Sequence, residues 1–257
     1  MSLTAITRGV SPALNRCELG YLPRQEIDIA KAMRQHQCYE QCFRELGAEV
    51  ISLPAEPDLP DSMFVEDPAV VVPEAAILTR MGAESRRKEG ESLAAVLGRF
   101  RPLRFMNEPA TLEGGDVLRI GSTVYAGLSG RTNHSGIEQL ARELRPFGYS
   151  VRAVPVRGCL HLKSACSYLG GDTLLINREW VDAGVFEGLR IVDVPREEPR
   201  AANVLSIGQT ALIPSAFPRT GSLIEDLGWK VRPLDISELM KAEAGLTCSS
   251  ILLETGP

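Results

Sequence analysis

The fold of this chain follows from a pattern that is clear in the stretch Gly245-Leu246-Thr247-Cys248-Ser249-Ser250-Ile251-Leu252-Leu253. A cysteine beside small hydroxyl residues leads into a short run of β-forming residues, so we expect Cys248 at the start of a strand. A lone cysteine in such a place is more often a small buried core residue than a reactive group. The reactivity of Cys248 therefore depends on what the rest of the chain brings to it.

The same order of residue types occurs five times along the chain. In each copy a polar residue opens a β-hairpin, and the repeating unit is interpreted as a hairpin, a helix and a further strand. The opening residues follow one another at spacings of 46, 48, 42 and 45 residues, and they are Asp67, Glu113, His161, Asn203 and Cys248. Periods of this length indicate solenoids or propellers, because one unit cannot bury its apolar face alone.

The fifth hairpin needs a partner strand, and the alternating segment from Leu3 to Ile6 supplies one. We therefore predict an α/β fold, namely a five-bladed β/α propeller that is closed by the two ends of the chain. A closed ring leaves no free sheet edge at the closure point. Residues 1–257 are expected to form a single catalytic domain, with the five opening residues meeting in one central pocket.

Composition restricts the kind of partner. The chain has 257 residues, of which 44% are hydrophobic and 24% charged, as in an ordinary globular protein. A formal net charge of -5 argues against nucleic-acid and anionic-membrane surfaces and favours a small-molecule partner. Because no signal peptide and no membrane-spanning run is recognisable, a cytoplasmic location is expected. The six cysteines form no C-x-x-C pair, so neither a disulfide framework nor a zinc ribbon is indicated.

A cysteine and a histidine in one pocket make a nucleophile and a proton donor. A free thiol has a pKa of about 8.5, and a nearby cation lowers it. His161 would act as the general acid. Taken alone, His161 is more often a satisfied core histidine, and zinc is a competing use of Cys248, His161 and Glu113, although no ligand spacing supports it. We expect neither a metal nor a cofactor.

Carboxylates gather where two of the hairpins open. Asp61, Glu66 and Asp67 fall within seven residues, so this pocket should hold a planar cation. Asp61 alone could equally be a turn residue, and the adjacent Glu66 and Asp67 should point to opposite sides. The pair Gly114-Gly115 should let the backbone approach another group closely.

Several motifs together resemble the dimethylarginine dimethylaminohydrolase family. They are Pro60-Asp61, Phe64-Val65-Glu66-Asp67, Ser85-Arg86-Arg87, Leu112-Glu113-Gly114-Gly115-Asp116-Val117, Arg131-Thr132-Asn133, His161-Leu162-Lys163 and Leu246-Thr247-Cys248-Ser249. This family belongs to the guanidine-modifying (pentein) superfamily of five-bladed β/α propellers, and the resemblance runs from Arg8 to Leu253. It implies hydrolysis of Nω-methylated arginines, both asymmetric dimethylarginine and monomethylarginine, to citrulline and dimethylamine or methylamine.

The resemblance also implies roles for particular residues. Cys248 would attack the guanidinium carbon to form a covalent thiouronium intermediate, and His161 would protonate the leaving amine and then assist water. Glu113 would hold the guanidinium or His161.

Six further residues are implied to bind the substrate: Leu19, Asp61, Glu66, Asp67, Arg86 and Arg131. The acids would lie near the guanidinium, the arginines would clamp the α-carboxylate, and the leucine would sit on a mobile loop that covers the pocket. Read without the resemblance, Arg86 belongs to a basic run of the kind that usually forms a solvated face. One departure from the family is Glu243-Ala244, where relatives often carry Asp-Gly.

Two alternatives remain open at the level of sequence. An arginine deiminase or an amidinotransferase would use the same kind of pocket, although such relatives are usually longer. A non-catalytic five-bladed propeller that binds ribosomes is also conceivable, but an acidic chain is a poor ligand for ribosomal RNA. A homodimer would suit this fold.

Overall fold

The computed structural model describes residues 2–255. Within that range the chain forms five separate three-stranded sheets, in agreement with the predicted five-fold repeat. Four of the sheets use strands that are consecutive in the chain, and the fifth combines the last described strand with the first two. The prediction of a ring closed by the two ends of the chain is therefore confirmed.

The strands are β1 (Ser2–Arg8), β2 (Glu49–Leu53), β3 (Ala69–Val72), β4 (Ala75–Leu78), β5 (Leu103–Phe105), β6 (Val117–Ile120), β7 (Thr123–Leu128), β8 (Ser150–Pro155), β9 (Cys166–Gly170), β10 (Thr173–Ile176), β11 (Arg190–Asp193), β12 (Leu205–Ile207), β13 (Thr210–Pro214), β14 (Lys230–Leu234) and β15 (Ile251–Thr255). The helices are α1 (Ile29–Glu45), α2 (Gly90–Leu97), α3 (His134–Leu144), α4 (Leu162–Ala165), α5 (Pro218–Asp226) and α6 (Ser237–Met240). None of these helices is both long and apolar enough to cross a membrane.

Every sheet has the same topology. The first two strands pair antiparallel and the third pairs parallel to the second, as in β3-β4-β5 and β6-β7-β8. In the closing sheet, β15 pairs antiparallel with β1, so that Ile251 lies opposite Ile6, and β1 pairs parallel with β2. A parallel third strand needs a crossover connection, which explains why a helix follows most hairpins.

The crossover helices bury one apolar stripe each. In α3 the residues Ile137, Leu140 and Leu144 recur at helical spacing and pack into a cluster with Val124 and Ala126 of β7. Asn133 caps this helix, since its side chain accepts a hydrogen bond from the N–H of Gly136 at 2.7 Å. Helix and sheet therefore share one core in each of these units.

One unit departs from the predicted order of hairpin, helix and strand. Between β10 and β11 the chain forms only a 3-10 turn at Ala183–Val185, where the Asp182 side chain accepts from the Gly184 N–H at 2.9 Å. The connection also contains Gly188 at a φ of +78°. Two glycines in so short a connection disfavour an α-helix, which explains the difference.

One local prediction is wrong. Cys248 does not begin a strand: it lies in the 3-10 turn Thr247–Ser249, and β15 begins only at Ile251.

A buried carboxylate from a residue outside the helix caps the N-terminus of α5. The side chain of Glu198 accepts hydrogen bonds from the backbone N–H groups of Arg219 and Thr220, at 2.9 and 2.8 Å, and from the Thr220 hydroxyl at 2.6 Å. These amides lie in the first turn of the helix and have no partner within it. Glu198 thus fastens α5 to the loop that follows β11.

Replacing this cap should destabilise the protein. We expect Glu198→Ala to cost about 1 to 2 kcal/mol, which lowers the Tm by about 2 to 8 °C for a chain of this size. Glu197→Ala is the matched control, because Glu197 pairs with Arg219 at 3.2 Å while both side chains are 64% exposed. Thermal unfolding followed by circular dichroism measures both variants. Equal shifts for the two would contradict the capping role.

Candidate active site

Three of the five opening residues meet directly. The Nε2 atom of His161 lies 2.7 Å from Oε2 of Glu113, and its Nδ1 atom lies 3.8 Å from Oδ1 of Asp67. All three side chains are buried. The predicted convergence is thus confirmed for these residues, which three different sheets supply.

The electrostatics of the His161 and Glu113 pair favour an ion pair. Burial opposes the charged form of His161, but the charge of Asp67, the hydrogen bond to Glu113 and the charge of Asp116 outweigh it and raise the pKa of His161 to about 9. Burial likewise opposes ionisation of Glu113, yet its contacts with His161 lower the pKa of this carboxyl to about 2. The imidazole is therefore charged near neutral pH and can donate a proton.

Other groups hold Glu113 in place. Its Oε1 atom accepts from the backbone N–H of Gly82 at 3.1 Å and from Nη1 of Arg131 at 3.3 Å. Its own N–H donates to the hydroxyl of Thr132 at 3.2 Å. The Arg131 side chain keeps 13% of its surface exposed while it touches this carboxylate.

Arg86 is buried between two carboxylates. Its Nη1 atom donates to Asp67 at 2.9 Å, and its Nε and Nη2 atoms donate to Glu89 at 3.0 and 2.8 Å. The solvated-face interpretation is therefore wrong for this residue. The sequence analysis also assigned no role to Glu89, although its position three residues after Arg86 is a spacing at which side chains on a helical turn meet.

The two glycines of the second hairpin permit close packing, as predicted. A Cβ atom on Gly115 would lie 2.5 Å from Nδ1 of His161 and 2.8 Å from Oδ1 of Asp67. A Cβ atom on Gly114 would lie 2.0 Å from the carbonyl oxygen of Glu66. The Gly115 N–H also donates to Asp67 at 3.1 Å. Any larger residue would push His161 away from its partners.

Asp116 is a buried residue to which the sequence analysis assigned no function. Its carboxylate accepts from the hydroxyls of Ser129 and Thr132 at 2.6 and 2.7 Å, and from the N–H of Leu162 at 2.9 Å. Through these bonds Asp116 ties the turn that carries Arg131 to the residue after His161. The signal in the sequence was its place directly after Gly114-Gly115.

Cys248 lies in a partly exposed turn. The N–H of Gly245 points toward its Sγ atom at 3.4 Å, and the N–H of Glu66 donates to its carbonyl oxygen at 3.2 Å. Burial of the thiol, followed by the negative charges of Glu66 and Asp67, raises the pKa of Cys248 to about 12. A cation bound among these acids would lower that pKa and so favour the thiolate.

A second network supports the turn that carries the thiol. Lys163 binds Glu66 at 2.5 Å, and the hydroxyl of Thr247 donates to Glu66 at 2.8 Å. The amide of Asn203 donates to the Lys163 carbonyl at 2.9 Å and accepts from the Thr247 N–H at 3.1 Å. Asn203, the fourth opening residue, thus joins the Cys248 turn to the segment that carries His161. Glu66 and Asp67 have different partners, as their adjacency predicted.

The loop before α1 adjoins this region. The N–H of Glu18 donates to Oδ2 of Asp61 at 3.0 Å, and Asp61 is itself buried. Leu19 and Cys248 both pack against the same large buried apolar cluster. Leu19 is therefore partly buried on the core side of the loop.

Carboxyl groups outnumber cationic groups in the site. The carboxyl groups belong to Asp61, Glu66, Asp67, Glu89, Glu113 and Asp116, and the cationic groups to Arg86, Arg131, His161 and Lys163. Burial raises the pKa of four of these carboxyl groups, so a bound cation would stabilise their ionised forms; the four are Asp61, Glu66, Glu89 and Asp116. The arrangement thus combines a thiol, an imidazole with a raised pKa and acids that can hold a cationic head group.

A metal ion would have to compete with the protein's own cations here. Among the described residues, the ligand atoms of Asp67, Glu113 and His161 lie within 4.8 Å of one another. Cys248 does not join this group, so the competing zinc set considered from the sequence is not assembled in this form. Arg86 already lies 2.9 Å from Asp67 and 3.9 Å from Glu113, and it balances their charge.

The nine predicted site residues fall into three neighbouring groups. Asp67, Glu113, Arg86 and Arg131 surround His161, Glu66 adjoins Cys248, and Asp61 and Leu19 belong to the loop before α1 and its support. The structure therefore brings residues from the whole length of the chain into one region. Their individual roles remain predictions.

Comparisons with known proteins agree with this geometry. A family model described as "N,N dimethylarginine dimethylhydrolase, eukaryotic" matches residues 21–209. The chain is 37% identical to the N(G),N(G)-dimethylarginine dimethylaminohydrolase of Pseudomonas aeruginosa over 87% of its own length and 89% of that protein. It is 38% identical to the protein of the same name from Streptomyces coelicolor, over 98% of its own length and 97% of the relative.

Solved structures lead to the same family. The chain is similar to a cysteine-to-serine variant of the Pseudomonas aeruginosa enzyme complexed with citrulline, with a TM-score of 0.94 and 34% identity over 98% of this chain and all of that one. The N-terminal domain of a cyanobacterial arginine dihydrolase shares the fold, with a TM-score of 0.87 at 17% identity over 98% of this chain and 97% of that one. The predicted α/β propeller fold is thereby confirmed, and the chain belongs to the dimethylarginine dimethylaminohydrolase family.

Proposed function

We propose that this protein hydrolyses Nω-methylated arginines to citrulline and the corresponding methylamine or dimethylamine. The observation that carries the proposal is the charged His161 and Glu113 pair, held beside Asp67 in a site with excess carboxyl groups. Such a site binds a guanidinium and keeps a proton ready for a departing amine. The names of the similar proteins support this substrate class.

Cys248 supplies the nucleophile in this proposal. The guanidinium of the substrate brings a positive charge close to the thiol when it binds beside Glu66 and Asp67. This charge lowers the pKa of Cys248, so the thiol releases its proton to solvent. The sulfur then bonds to the guanidinium carbon. No metal or cofactor takes part in this step.

His161 acts twice. It first protonates the departing nitrogen as the bond between carbon and methylated nitrogen breaks, which leaves a thiouronium on Cys248. It then removes a proton from the water that attacks this intermediate, and citrulline leaves with the thiol restored. Glu113, at 2.7 Å, stabilises the charged imidazole and holds its orientation.

Arg131 is better placed than Arg86 to bind the α-carboxylate of the substrate. The Arg131 side chain has one described bond, to Glu113, and is partly exposed, whereas Arg86 is buried and donates to Asp67 and Glu89. We therefore assign the carboxylate chiefly to Arg131. Arg86 holds Asp67 in position beside His161.

The remaining sequence predictions complete the proposal. All of residues 1–257 form a single catalytic unit, supported by the pairing of β1 with β15, which places both ends of the described chain in one sheet. Homodimer formation and a cytoplasmic location stay predictions. Arginine deiminase activity is the alternative, and substrate preference distinguishes it.

The purified protein should release citrulline from asymmetric dimethylarginine faster than from arginine. Cys248→Ser should lower this rate by more than about a thousandfold, because no other thiol is placed to attack. Cys38→Ser, which changes an exposed cysteine on α1, is the matched control and should keep full activity. Mass spectrometry of the protein quenched during turnover should find an adduct on the peptide that carries Cys248. A preference for arginine would favour the deiminase instead.

The ion pair should make stability depend on pH. Folding raises the pKa of His161 from 6.5 to about 9, so its contribution is fully present below about pH 6.5 and is lost as the pH rises through about 9. The unfolding free energy of wild type relative to His161→Gln should therefore fall by up to about 3 kcal/mol between pH 6 and 9.5.

Denaturant unfolding at several pH values measures this difference. His134→Gln, which removes an exposed imidazole at the start of α3, is the control for the loss of a histidine. Parallel pH curves for wild type and His161→Gln would show that His161 is not charged in the folded protein.

Arg131→Ala should weaken binding of substrates that carry an α-carboxylate. Loss of charge-assisted hydrogen bonds worth about 1.5 to 3 kcal/mol corresponds to a rise in KM of roughly tenfold to a hundredfold. A methylated guanidine on a chain without a carboxylate should be affected much less, and Arg87→Ala, a change beside the site, should affect neither. Steady-state kinetics with both substrates tests this. Equal losses on the two would refute the clamp.

A further inference from the structure

The loop before α1 exposes several residues in its central part. Residues 18–22, which we call the flap, have the sequence Glu-Leu-Gly-Tyr-Leu, and Glu18, Gly20 and Tyr21 are exposed. Tyr21 is among the large apolar side chains with the greatest exposure, at 52%. Within the flap, Leu19 packs against the buried apolar cluster that Cys248 also contacts. Polar contacts must therefore decide whether the flap stays closed.

One carboxylate gathers three consecutive backbone amides of the flap. Glu243 accepts from the N–H groups of Gly20, Tyr21 and Leu22, at 3.0, 2.6 and 2.5 Å. Successive N–H groups that point to one centre form an anion-binding nest, and here the anion is a side chain of the protein. Hydrogen bonds to an ionised acceptor are about twice as strong as neutral ones.

The backbone of Glu243 is itself unusual. Its φ is +60°, and among residues 2–255 no other non-glycine residue has a positive φ. This conformation is costly for a residue with a Cβ atom, but it closes the turn after α6: the N–H groups of Glu243 and Ala244 donate to the carbonyl oxygens of Met240 and Leu239 at 3.1 and 3.3 Å. The three bonds to the flap come in addition to this helix-ending motif and use the side chain.

Glu243 is connected to the reacting groups on two sides. Two residues further along the chain, the N–H of Gly245 points to Sγ of Cys248 at 3.4 Å. On the other side, a Cβ atom on Gly20 would lie 3.7 Å from Leu160, the residue before His161. The flap that Glu243 holds therefore lies between the segment of the nucleophile and the segment of the proton donor.

A second attachment fixes the front of the flap. The N–H of Glu18 donates to Asp61, and the hydroxyl of Ser85 donates to the Glu18 carboxylate at 2.5 Å. Ser85 precedes Arg86, which holds Asp67. The flap is thus tied at one end to the acid side of the pocket and at the other end to Glu243.

We propose that Glu243 is a positioning residue that latches the flap closed over Cys248. The inference deepens the proposed function, because it concerns entry to the same site. With the latch in place, the flap limits the access of solvent and reagents to the partly exposed Cys248. Without the latch, part of the binding energy of the substrate is used to close the flap. The apparent affinity then falls, so KM rises more than kcat falls.

Two variants separate the latch from the strained backbone. Glu243→Gln keeps the size of the side chain and the positive φ but removes the charge, whereas Glu243→Gly removes the side chain and relieves the strain. Glu26→Gln is the matched control, since it makes the same charge change further along this loop, where the Glu26 carboxylate has no described contact within residues 2–255.

The readout is alkylation of Cys248 by iodoacetamide, measured by peptide mass spectrometry relative to the exposed Cys38 in the same molecule. We expect the ratio of the two rates to rise at least fivefold in Glu243→Gln and in Glu243→Gly, and to stay unchanged in Glu26→Gln. Hydrogen exchange should accelerate at residues 20–22 but not in β1 or β15. The KM for asymmetric dimethylarginine should rise at least threefold in both Glu243 variants.

Three results would overturn the latch. They are an unchanged alkylation ratio in both Glu243 variants, an equal increase in Glu26→Gln, or faster hydrogen exchange across all strands together with a lower Tm. The alkylation readout does not depend on turnover. A raised ratio in a protein that fails to hydrolyse methylated arginines would therefore reject the proposed substrate while the latch stands.

Discussion

The need to stabilise buried charges determines how side chains are arranged at the centre of this protein. Glu113 is fully buried, and a carboxylate in such a place is stable only with hydrogen-bond donors and a positive partner around it. His161 supplies the partner, and Gly82 and Arg131 supply further donors. The backbone of the neighbouring sheets is arranged so that each of these groups can reach it.

The same requirement recurs around the pocket. Asp67 depends on Arg86, Arg86 depends on Glu89, and Glu66 depends on Lys163. Each of these side chains thus has an oppositely charged group within ion-pair distance, and the chain of pairs orders this part of the site before any ligand arrives. Preorganised charges of this kind favour a cationic ligand without reorganising around it.

Much of this could be predicted from the sequence. The five-fold repeat was visible because each hairpin carries its own local signals, such as Gly121 and Gly208, whose positive φ values fit tight turns. The opening residues then followed from their place at the start of each hairpin, and their similar spacings indicated the repeat. The identity of the family followed from the motifs around those openings.

Other features were out of reach because they depend on distant partners. Nothing near Glu66 in the sequence indicates that Lys163, 97 residues away, would bind it. The cap that Glu198 provides for α5 and the hold of Glu243 on the flap are contacts of the same kind, with separations of 22 and up to 223 residues. Local errors, such as a strand starting at Cys248, arose because β-forming residues follow a turn whose shape the tertiary contacts decide.

The pairing of β15 with β1 has a consequence for biosynthesis. A ribosome makes β15 after every other described strand, so the growing chain can complete the sheets that hold Glu113 and His161 while the segment with Cys248 is still unmade. The Cys248 thiol can take its place beside them only after this segment has been made, and the pairing of β15 with β1 then joins strands from opposite ends of the described chain.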